Sequence, residues 1–495
     1  MHFCRIYHLH NNPELFLGGH QLPFAESAKF LGLTFDKSLT WRAHIRSLQK
    51  RCVSPMNLLR TLSGASWGAD RLCLLRLYRT VVRPILDYGC EVYGSAAPST
   101  LRPLNTIHHA CIRLSTGAYR TSRIECLLAE ASEPSLERHR NNLLGSYGAK
   151  VSGLHNHPCR GIMLHPEHAT SYALRPSLIV TSPSNPIPPW QLLRPNIDVS
   201  LSSLPKQITC SLTYQSEFQK FRSTYPNHTF LFTDGSSCYD GVACSFHSFR
   251  VTRSYRLHSM YSVYTAELYA ILEAVKYTES ASLRQVVVCS DSLSSLEAIS
   301  SSSSDNLMRS IQFQIHRLLS LQYDLVLVWV PGHMGIAGNE LADRAAKSAT
   351  RRTQIDICKV PSYDVKAYLK RSVFRAWQTE WRNSSFKLNL LKDSVYPWCS
   401  SSRPSRREEV ILTRLRIGHC HFSHSYLLRS ESPPICDSCN TALSVEHVLL
   451  HCAKFVAGRR RHGLSNCLRE VLGNDDSALS RLFLFLRDSE IYNFI

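Results

Sequence analysis

The sequence has no long hydrophobic run and no recognisable leader at its start. No apolar stretch approaches the ~20 residues that a membrane-spanning helix needs, and the residues after Met1 lack the charged and then apolar pattern of a signal peptide. The 18 cysteines are scattered over 495 residues, without the dense spacing of a small secreted disulfide framework. We therefore expect an intracellular protein, nuclear or cytoplasmic, that is neither secreted nor membrane-bound.

Acidic residues are scarce relative to basic ones, and the imbalance is uneven along the chain. The net charge is +19, from 57 Lys and Arg against 38 Asp and Glu. Residues 226–350 are slightly acidic, with 9 basic and 11 acidic side chains, whereas residues 1–150 and 351–495 each carry +9. This excess predicts a polyanionic partner, most simply nucleic acid. A well-solvated basic surface is the alternative.

A glycine-rich phosphate loop of the Walker type is also absent, so a phosphate group would have to be handled in another way. Four short segments instead each deliver one acidic residue: Asp234, Glu267, Asp291 and Asp343. Asp234 and Asp291 each end an apolar run, and α/β sheets place ligand sites at strand ends. A single Asp there is usually a turn former. Several carboxylates together require a neutralising cation, and two Mg²⁺ or Mn²⁺ ions with oxygen ligands would suit them.

The region around these carboxylates predicts a mixed sheet with helices packed on it, an α/β (α+β) fold. We expect Thr265 and Asn339 to cap the helices that carry Glu267 and Asp343, and Gly235 to form a turn after Asp234. The expected strands are 229–233, 241–246, 249–256, 286–290 and 325–330, and the expected helices are 265–277, 292–299, 308–320 and 339–349.

Residues 226–352 resemble type 1 ribonuclease H in the order, spacing and type of these motifs, which are Thr233–Ser236, Thr265–Leu268, Ser290–Ser292, Trp329–His333 and Gly338–Asp343. The resemblance implies cleavage of the RNA strand of an RNA–DNA hybrid, recognised by its 2′-hydroxyls and shape rather than by its sequence. It implies that Asp234, Glu267, Asp291 and Asp343 bind metal. It also implies that His333 aids proton transfer or product release, although a lone His on a loop is usually an ordinary surface residue. Ser236 and Asn339 are candidate nucleic-acid contacts.

Residues 1–150 are mostly helical in period, with a glycine-interrupted strand at 30–36 near the start. Asp70 is a candidate N-cap, and Pro84 should end or kink the helix that follows. The segments Phe30–Asp36, Tyr78–Gly89 and Leu104–His109 resemble the thumb that follows the palm in non-LTR retrotransposon reverse transcriptases and grips the template–primer duplex. A helical core with solvated arginines is the alternative. Because the sequence has no Tyr-x-Asp-Asp motif, we expect no polymerase activity.

The remaining segments divide by composition. Residues 151–225 are proline- and serine-rich and predict a linker, and residues 353–430 predict a basic helical connector. Residues 431–460 contain Cys436, Cys439, His447 and Cys452 at the spacing of a tetrahedral zinc site, with His451 as an alternative to His447. Four unrelated residues in a cysteine-rich chain are the other interpretation. The segment resembles the nucleic-acid-binding zinc knuckle of non-LTR elements, and Arg459, Arg460 and Arg461 would add phosphate contacts. Residues 461–495 form a C-terminal tail.

These resemblances occur in the order of the C-terminal part of one non-LTR (LINE-like) retrotransposon polyprotein. The preferred function is a metal-dependent endonuclease that hydrolyses the RNA strand of RNA–DNA hybrids, with Mg²⁺ at the carboxylates and Zn²⁺ at the knuckle. The alternative is a catalytically silent remnant that still binds nucleic acid. A DNA-cutting relative with the same fold is less suited to the Thr265–Leu268 and His333 motifs. The sequence does not indicate the oligomeric state.

Overall fold

A computed structural model describes residues 2–3, 14–161, 178–181, 187–301 and 305–495. The chain divides into two compact units, residues 1–144 with 371–495 and residues 145–370. Part of the predicted linker (162–177 and 182–186) lies outside the described residues. In the described ranges, no helix is both long and apolar enough to cross a membrane.

The first unit begins with two short antiparallel hairpins, β1 (Phe16–Leu17) with β2 (His20–Gln21) and β3 (Ser27–Phe30) with β4 (Leu33–Asp36). The prediction of one strand over residues 30–36 is wrong. Leu31 and Gly32 both adopt positive φ and form a two-residue hairpin turn, so β4 pairs with β3 in antiparallel orientation.

Helices make up the rest of the first unit. Asp70 caps a helix as predicted, because its carboxylate accepts a hydrogen bond from the backbone N–H of Cys73. Pro84 follows a π-helical turn at Tyr78–Val82, where the regular helix is interrupted. The helices are Arg42–Leu62, Arg71–Leu77, Arg83–Asp87, Cys90–Tyr93, Pro98–Thr116, Ile124–Ala131, Leu136–Gly153 (which continues into the second unit), Lys387–Leu391, Arg406–Ile417, His421–His424, Tyr426–Arg429, Val456–Arg461, Leu468–Val471 and Asp476–Asp488.

A buried ionic cluster lies inside the first unit. Glu130 Oε1 lies 2.9 Å from Arg71 Nη1 and 3.8 Å from Arg416 Nη1, and Lys392 Nζ donates to the carbonyl of Ala129 at 2.8 Å. Burial opposes the ionisation of Glu130, but Arg71, Lys392 and Arg416 outweigh it and hold the pKa of this carboxyl at about 2. Arg71 is therefore a buried structural residue and not a solvated one.

The second unit contains a six-stranded mixed sheet in the order β5–β10–β9–β6–β7–β8. β5, β10, β9 and β6 are parallel, and β6, β7 and β8 form an antiparallel meander, which confirms the predicted mixed sheet. The strands are β5 (Asn196–Asp198), β6 (Thr229–Cys238), β7 (Gly241–His247), β8 (Thr252–Leu257), β9 (Gln285–Ser290) and β10 (Asp324–Trp329). The helices are Ser211–Ser223, Val263–Ser280, Leu293–Ser300, Asn306–Ser320, Ala337–Ala349 and Ser362–Arg382, the last of which continues into the first unit.

The predicted turn at Gly235 is wrong, because β6 continues through this residue to Cys238. A Cβ atom at Gly235 would lie 2.5 Å from the backbone nitrogen of Glu267 and 2.8 Å from the carbonyl carbon of Ala266. The glycine therefore allows the helix Val263–Ser280 to pack directly on the backbone of the strand, and this contact sets the distance between Asp234 and Glu267.

The helix that carries Glu267 and the helix that carries Asp343 both begin earlier than predicted. The first begins at Val263, because the Ser262 hydroxyl accepts the backbone N–H of Thr265 and so takes the capping role assigned to Thr265. The second begins at Ala337, so Asn339 lies within its first turn and is not its cap.

Part of the predicted linker packs into the second unit. β5 pairs in parallel with β10 at the edge of the sheet. Phe218, on the helix Ser211–Ser223, packs against Phe230 and Phe232 of β6, with ring centroids 6.1 and 6.0 Å apart. Residues 196–223 therefore contribute to the sheet and its core.

Candidate active site and metal-binding clusters

Three acidic side chains converge at one edge of the mixed sheet. Thr233 of β6 pairs with Ser290 of β9, so the residues that follow them, Asp234 and Asp291, emerge side by side. Glu267 reaches the same place from the helix packed on β6. One carboxylate oxygen from each of the three lies within 4.8 Å of the others, an arrangement that could hold a metal ion.

The electrostatics of this carboxylate cluster are unfavourable without a cation. Burial, together with Asp291 and Asp343, raises the pKa of Asp234 to about 7. Burial followed by repulsion from Asp234 and Asp291 raises the pKa of Glu267 well above its usual range, and burial also raises the pKa of Asp291. Asp234 Oδ2 and Glu267 Oε2 are buried, and neither has a hydrogen-bond partner among the described residues. The donor set therefore fits hard divalent cations.

Asp343 lies beside this cluster on the helix Ala337–Ala349. Its Oδ2 atom accepts a hydrogen bond from Lys347 Nζ at 2.7 Å and lies 4.0 Å from His333 Nδ1. His333 is on the loop after β10, with positive φ and a side chain that is 70% exposed. No role was predicted for Lys347, although its spacing of four residues from Asp343 on a helix is the signal for such a pair.

Asp291 is held from three sides. Asn339 Nδ2 lies 3.4 Å from Asp291 Oδ2, and Trp329 Nε1 donates to the Asp291 carbonyl at 3.1 Å. A Cβ atom on Gly332 would lie 2.4 Å from Asp291 Oδ2, so the glycine leaves room for the carboxylate in this position. Asn339 is buried against the carboxylate. Ser236 lies two residues beyond Asp234 on β6 and is half-buried. The sequence pattern carried no signal for the role of Trp329.

The three cysteines and the histidine of the predicted knuckle also converge. One donor atom from each of Cys436, Cys439, His447 and Cys452 lies within 4.8 Å of the others. Cys452 Sγ lies 3.7 Å from Cys436 Sγ and 3.9 Å from Cys439 Sγ. His447 Nε2 is buried and has no hydrogen-bond partner among the described residues. Three thiols and an imidazole nitrogen are a donor set that fits Zn²⁺.

The residues around this cysteine–histidine cluster differ in their exposure. A π-helical turn at His447–His451 places His447 in the cluster, whereas His451 is exposed and lies outside it. Arg459 Nη1 donates to the Val448 carbonyl at 3.2 Å, which ties this arginine to that turn. Arg460 and Arg461 are exposed.

Comparison with known proteins identifies the class. Residues 226–351 match the family model of RNase H. The chain is 30% identical over 120 residues to a retrovirus-related Pol polyprotein from the type-1 retrotransposable element R1 4 of Nasonia vitripennis, covering 24% of this chain and 31% of that protein. It is 26% identical over 140 residues to an RNA-directed DNA polymerase from the mobile element jockey of Drosophila melanogaster, covering 28% and 15%. A probable RNA-directed DNA polymerase from transposon X-element of the same fly is 25% identical over 146 residues, covering 26% and 16%.

Residues 226–351 are thus an RNase H domain, of a nucleic-acid hydrolase family. The matched relatives are named as polyproteins or RNA-directed DNA polymerases of retrotransposable elements, which confirms the predicted resemblance for the RNase H domain. The matches span less than a third of the length of these relatives.

Proposed function

We propose that this chain is a metal-dependent endonuclease that hydrolyses the RNA strand of RNA–DNA hybrids. The observation that carries the proposal is the cluster of Asp234, Glu267 and Asp291 within an RNase H domain. Buried carboxylates with raised pKa values and unpartnered oxygens destabilise a fold unless a cation neutralises them. Two divalent cations fit this donor set.

In this proposal Asp234, Glu267, Asp291 and Asp343 hold the two cations, which when bound supply an activated water and stabilise the leaving oxygen of the cleaved phosphodiester. Asn339 and the close approach of Gly332 fix the orientation of Asp291. Lys347 holds Asp343 and reduces the net negative charge at the edge of the site. Ser236 and Asn339 are the candidate contacts to the nucleic acid.

His333 is assigned to proton transfer or product release. Its side chain is largely exposed, and its Nδ1 atom lies 4.0 Å from Asp343. An imidazole nitrogen in that position can accept a proton and release it again. Its exposure on a loop also gives it access to bulk solvent, where the proton can be delivered.

The other regions are proposed to hold the nucleic acid. Cys436, Cys439, His447 and Cys452 would bind Zn²⁺ and fix the fold of the knuckle. Arg460 and Arg461 would contact phosphates, with Arg459 holding the turn of His447. Residues 1–150 would act as a thumb-like region and residues 353–430 as a basic connector.

The test uses the purified full chain and a hybrid duplex with separate labels on its RNA and DNA strands. We expect cleavage of the RNA strand alone in Mg²⁺. Asp291→Asn should reduce the cleavage rate by at least about a hundredfold, because it removes a metal ligand, while hybrid binding is retained. The matched control is Asp240→Asn, which alters a largely exposed carboxylate in the turn between β6 and β7.

Three outcomes have distinct meanings. Loss of cleavage in Asp291→Asn with normal cleavage in Asp240→Asn supports the assignment. Hybrid binding without cleavage in the unsubstituted chain would favour a silent nucleic-acid-binding remnant. Cleavage of both strands, or of duplex DNA, would contradict the substrate assignment and favour a DNA-cutting relative.

A further inference from the structure

A second concave site lies in the first compact unit, next to the cysteine–histidine cluster. It is a cavity of about 410 Å³, within the range of roughly 300–1,000 Å³ that is typical of small-molecule sites. Its floor is apolar and includes Cys126, Leu391, Leu415, Val445 and Leu468. Polar and basic groups line the rest: Arg123, Ser385, Lys387, His419, His424 and Ser444.

Positive charge dominates this cavity. Arg123 and Lys387 are exposed, and neither side chain forms an ion pair with any of the described residues. Glu446 is the one acidic residue among the described residues that line the cavity. Arg416 also lines it, but its guanidinium is turned toward Glu130 and the carbonyls of Leu472 and Gly473. The cavity therefore offers two uncompensated cations beside an apolar floor.

Two histidines form one wall. The rings of His419 and His424 stack with centroids 3.8 Å apart. His419 Nδ1 lies 2.9 Å from Thr121 Oγ1, and His424 Nδ1 lies 2.9 Å from Ser423 Oγ. Because both Nδ1 atoms are engaged, Nε2 is the ring atom of each histidine that can meet a ligand. Burial, His424, Arg123 and Lys387 lower the pKa of His419 to about 4, as expected where positive groups converge without an anion.

An aromatic ring completes the lining. The Arg123 guanidinium lies over the Phe386 ring, 5.7 Å from its centroid. A flat apolar surface beside fixed cations is the combination that single-stranded nucleic acids use, with the phosphate on the basic groups and the base or sugar on aromatic or apolar side chains.

We propose that this cavity binds one nucleotide of a single-stranded nucleic acid. Arg123 and Lys387 contact the phosphate, the Nε2 atoms of His419 and His424 donate or accept hydrogen bonds at its edge, and the apolar floor receives the sugar or base. The site lies in a different compact unit from the carboxylate cluster. Nucleotide binding to it can therefore be measured in a variant that does not cleave the nucleic acid.

The test measures the affinity of a short fluorescein-labelled oligouridylate for the full chain by fluorescence anisotropy over a NaCl series. All proteins carry Asp291→Asn, so that cleavage cannot interfere. The double variant Arg123→Ala/Lys387→Ala should weaken binding about tenfold and reduce the slope of log K against log salt by about 0.7 for one lost phosphate contact. The matched control is Lys220→Ala/Arg481→Ala, which removes the same charge from exposed positions that are not assigned to nucleic-acid binding.

The control should stay within about twofold of the parent affinity. Since both double variants remove two positive charges, a larger loss in Arg123→Ala/Lys387→Ala supports the proposal. Equal weakening by both pairs, or no weakening by either, overturns it, since the basic residues then act only through net charge or not at all.

A second readout identifies the ligand. NMR of ¹³C-histidine-labelled chain, with His419→Gln and His424→Gln used for assignment, should show shifts of both ring signals on addition of uridine 5′-monophosphate. The same shifts at the same concentration of inorganic phosphate would overturn the nucleotide assignment, because the apolar floor would then contribute nothing. Circular dichroism spectra that match the parent establish that each variant is folded.

Discussion

Two of the buried charge clusters among the described residues have opposite electrostatic balance. In the first compact unit, one carboxylate, Glu130, is surrounded by Arg71, Lys392 and Arg416, and its pKa is held at about 2. In the second unit, Asp234 and Glu267 are buried beside the half-buried Asp291, and the pKa values of all three are raised. Burial acts in the same direction on all four carboxyls, so the neighbouring charges make the difference.

This difference separates a structural cluster from a functional one. The ion pairs of Glu130 connect the helices Arg71–Leu77, Ile124–Ala131 and Arg406–Ile417, and the charge of this carboxylate is balanced by cations of the protein itself. In the carboxylate cluster the neighbouring charges are other carboxylates, which repel Asp234 and Glu267, so a balancing cation has to come from outside. Buried charges that satisfy each other mark a structural cluster, whereas buried charges that repel each other mark a candidate site.

The largest expected effect on stability comes from neutralising Glu130, the carboxylate at the centre of the first cluster. Glu130→Gln leaves buried cations without their shared counter-charge, so the free energy of unfolding of the first unit should fall by about 3–5 kcal/mol at pH 7. Urea unfolding followed by hydrogen–deuterium exchange of peptides from that unit measures it. Glu125→Gln, on the same helix but exposed, should change it by less than about 0.5 kcal/mol.

The pH dependence of this effect has a defined sign. The pKa of Glu130 in the folded protein, about 2, lies below its ordinary value of 4.5. Its stabilisation is therefore fully present above pH ~4.5 and is lost as the pH falls toward ~2. A Glu130→Gln effect that did not shrink over this interval would contradict the assigned ion pairs.

The opposite sign is expected for the carboxylate cluster. Asp234→Asn removes one of several repelling charges, so without metal at pH 8 the free energy of unfolding of the second unit should rise by about 1–3 kcal/mol, while cleavage is lost. Because the pKa of Asp234 is raised from 3.8 to about 7, the penalty in the unsubstituted protein grows as the pH rises through that interval. The stabilisation by Asp234→Asn should accordingly be small at pH 4 and reach its maximum above pH 7.

Thermal unfolding with and without Mg²⁺ checks this prediction. Added Mg²⁺ should stabilise the unsubstituted protein more than Asp234→Asn, since it binds the folded site. Destabilisation by Asp234→Asn in the absence of metal would show that the carboxylates do not repel each other as proposed.

The smallest effect concerns the spacing of the carboxylates rather than their charge. Gly235→Ala forces the helix Val263–Ser280 away from β6, since the new Cβ meets the backbone of Glu267. The overpacking is partly offset by lower entropy of the unfolded chain, which leaves a net loss of about 1 kcal/mol. The stabilisation by Mg²⁺ should also decrease, because Glu267 moves away from Asp234. Gly161→Ala is the control, because no atom of the described residues lies within 4 Å of the added Cβ.

Sequence reasoning succeeded where a pattern has a local cause. The apolar runs of β6 and β9, each followed by Asp, indicated the parallel strands that carry Asp234 and Asp291, and the mixed sheet is confirmed. The helix starts were wrong by two residues, because Ser262 and Thr265 are both good caps and only the packed structure selects between them. Gly235 was misassigned because a glycine required for close packing has the same sequence signature as one in a turn.

The Glu130 cluster was beyond sequence reasoning altogether. Its members lie as far apart as residues 71 and 416, and basic residues among apolar ones indicate neither burial nor a particular partner. The spacing of Cys436, Cys439, His447 and Cys452 is short-range and could be predicted as a group, and the structure brings the four together.

The helix Ser211–Ser223 has a consequence for how the RNase H domain can be separated from the rest of the chain. Phe218 covers Phe230 and Phe232, and Gln215 Nε2 donates to the Met334 carbonyl, next to His333, at 3.3 Å. A fragment that began at residue 226, where the family match begins, would uncover that aromatic surface and release the histidine loop. The unit that folds is therefore longer than the segment that the family shares, and an excised RNase H domain should begin before β5.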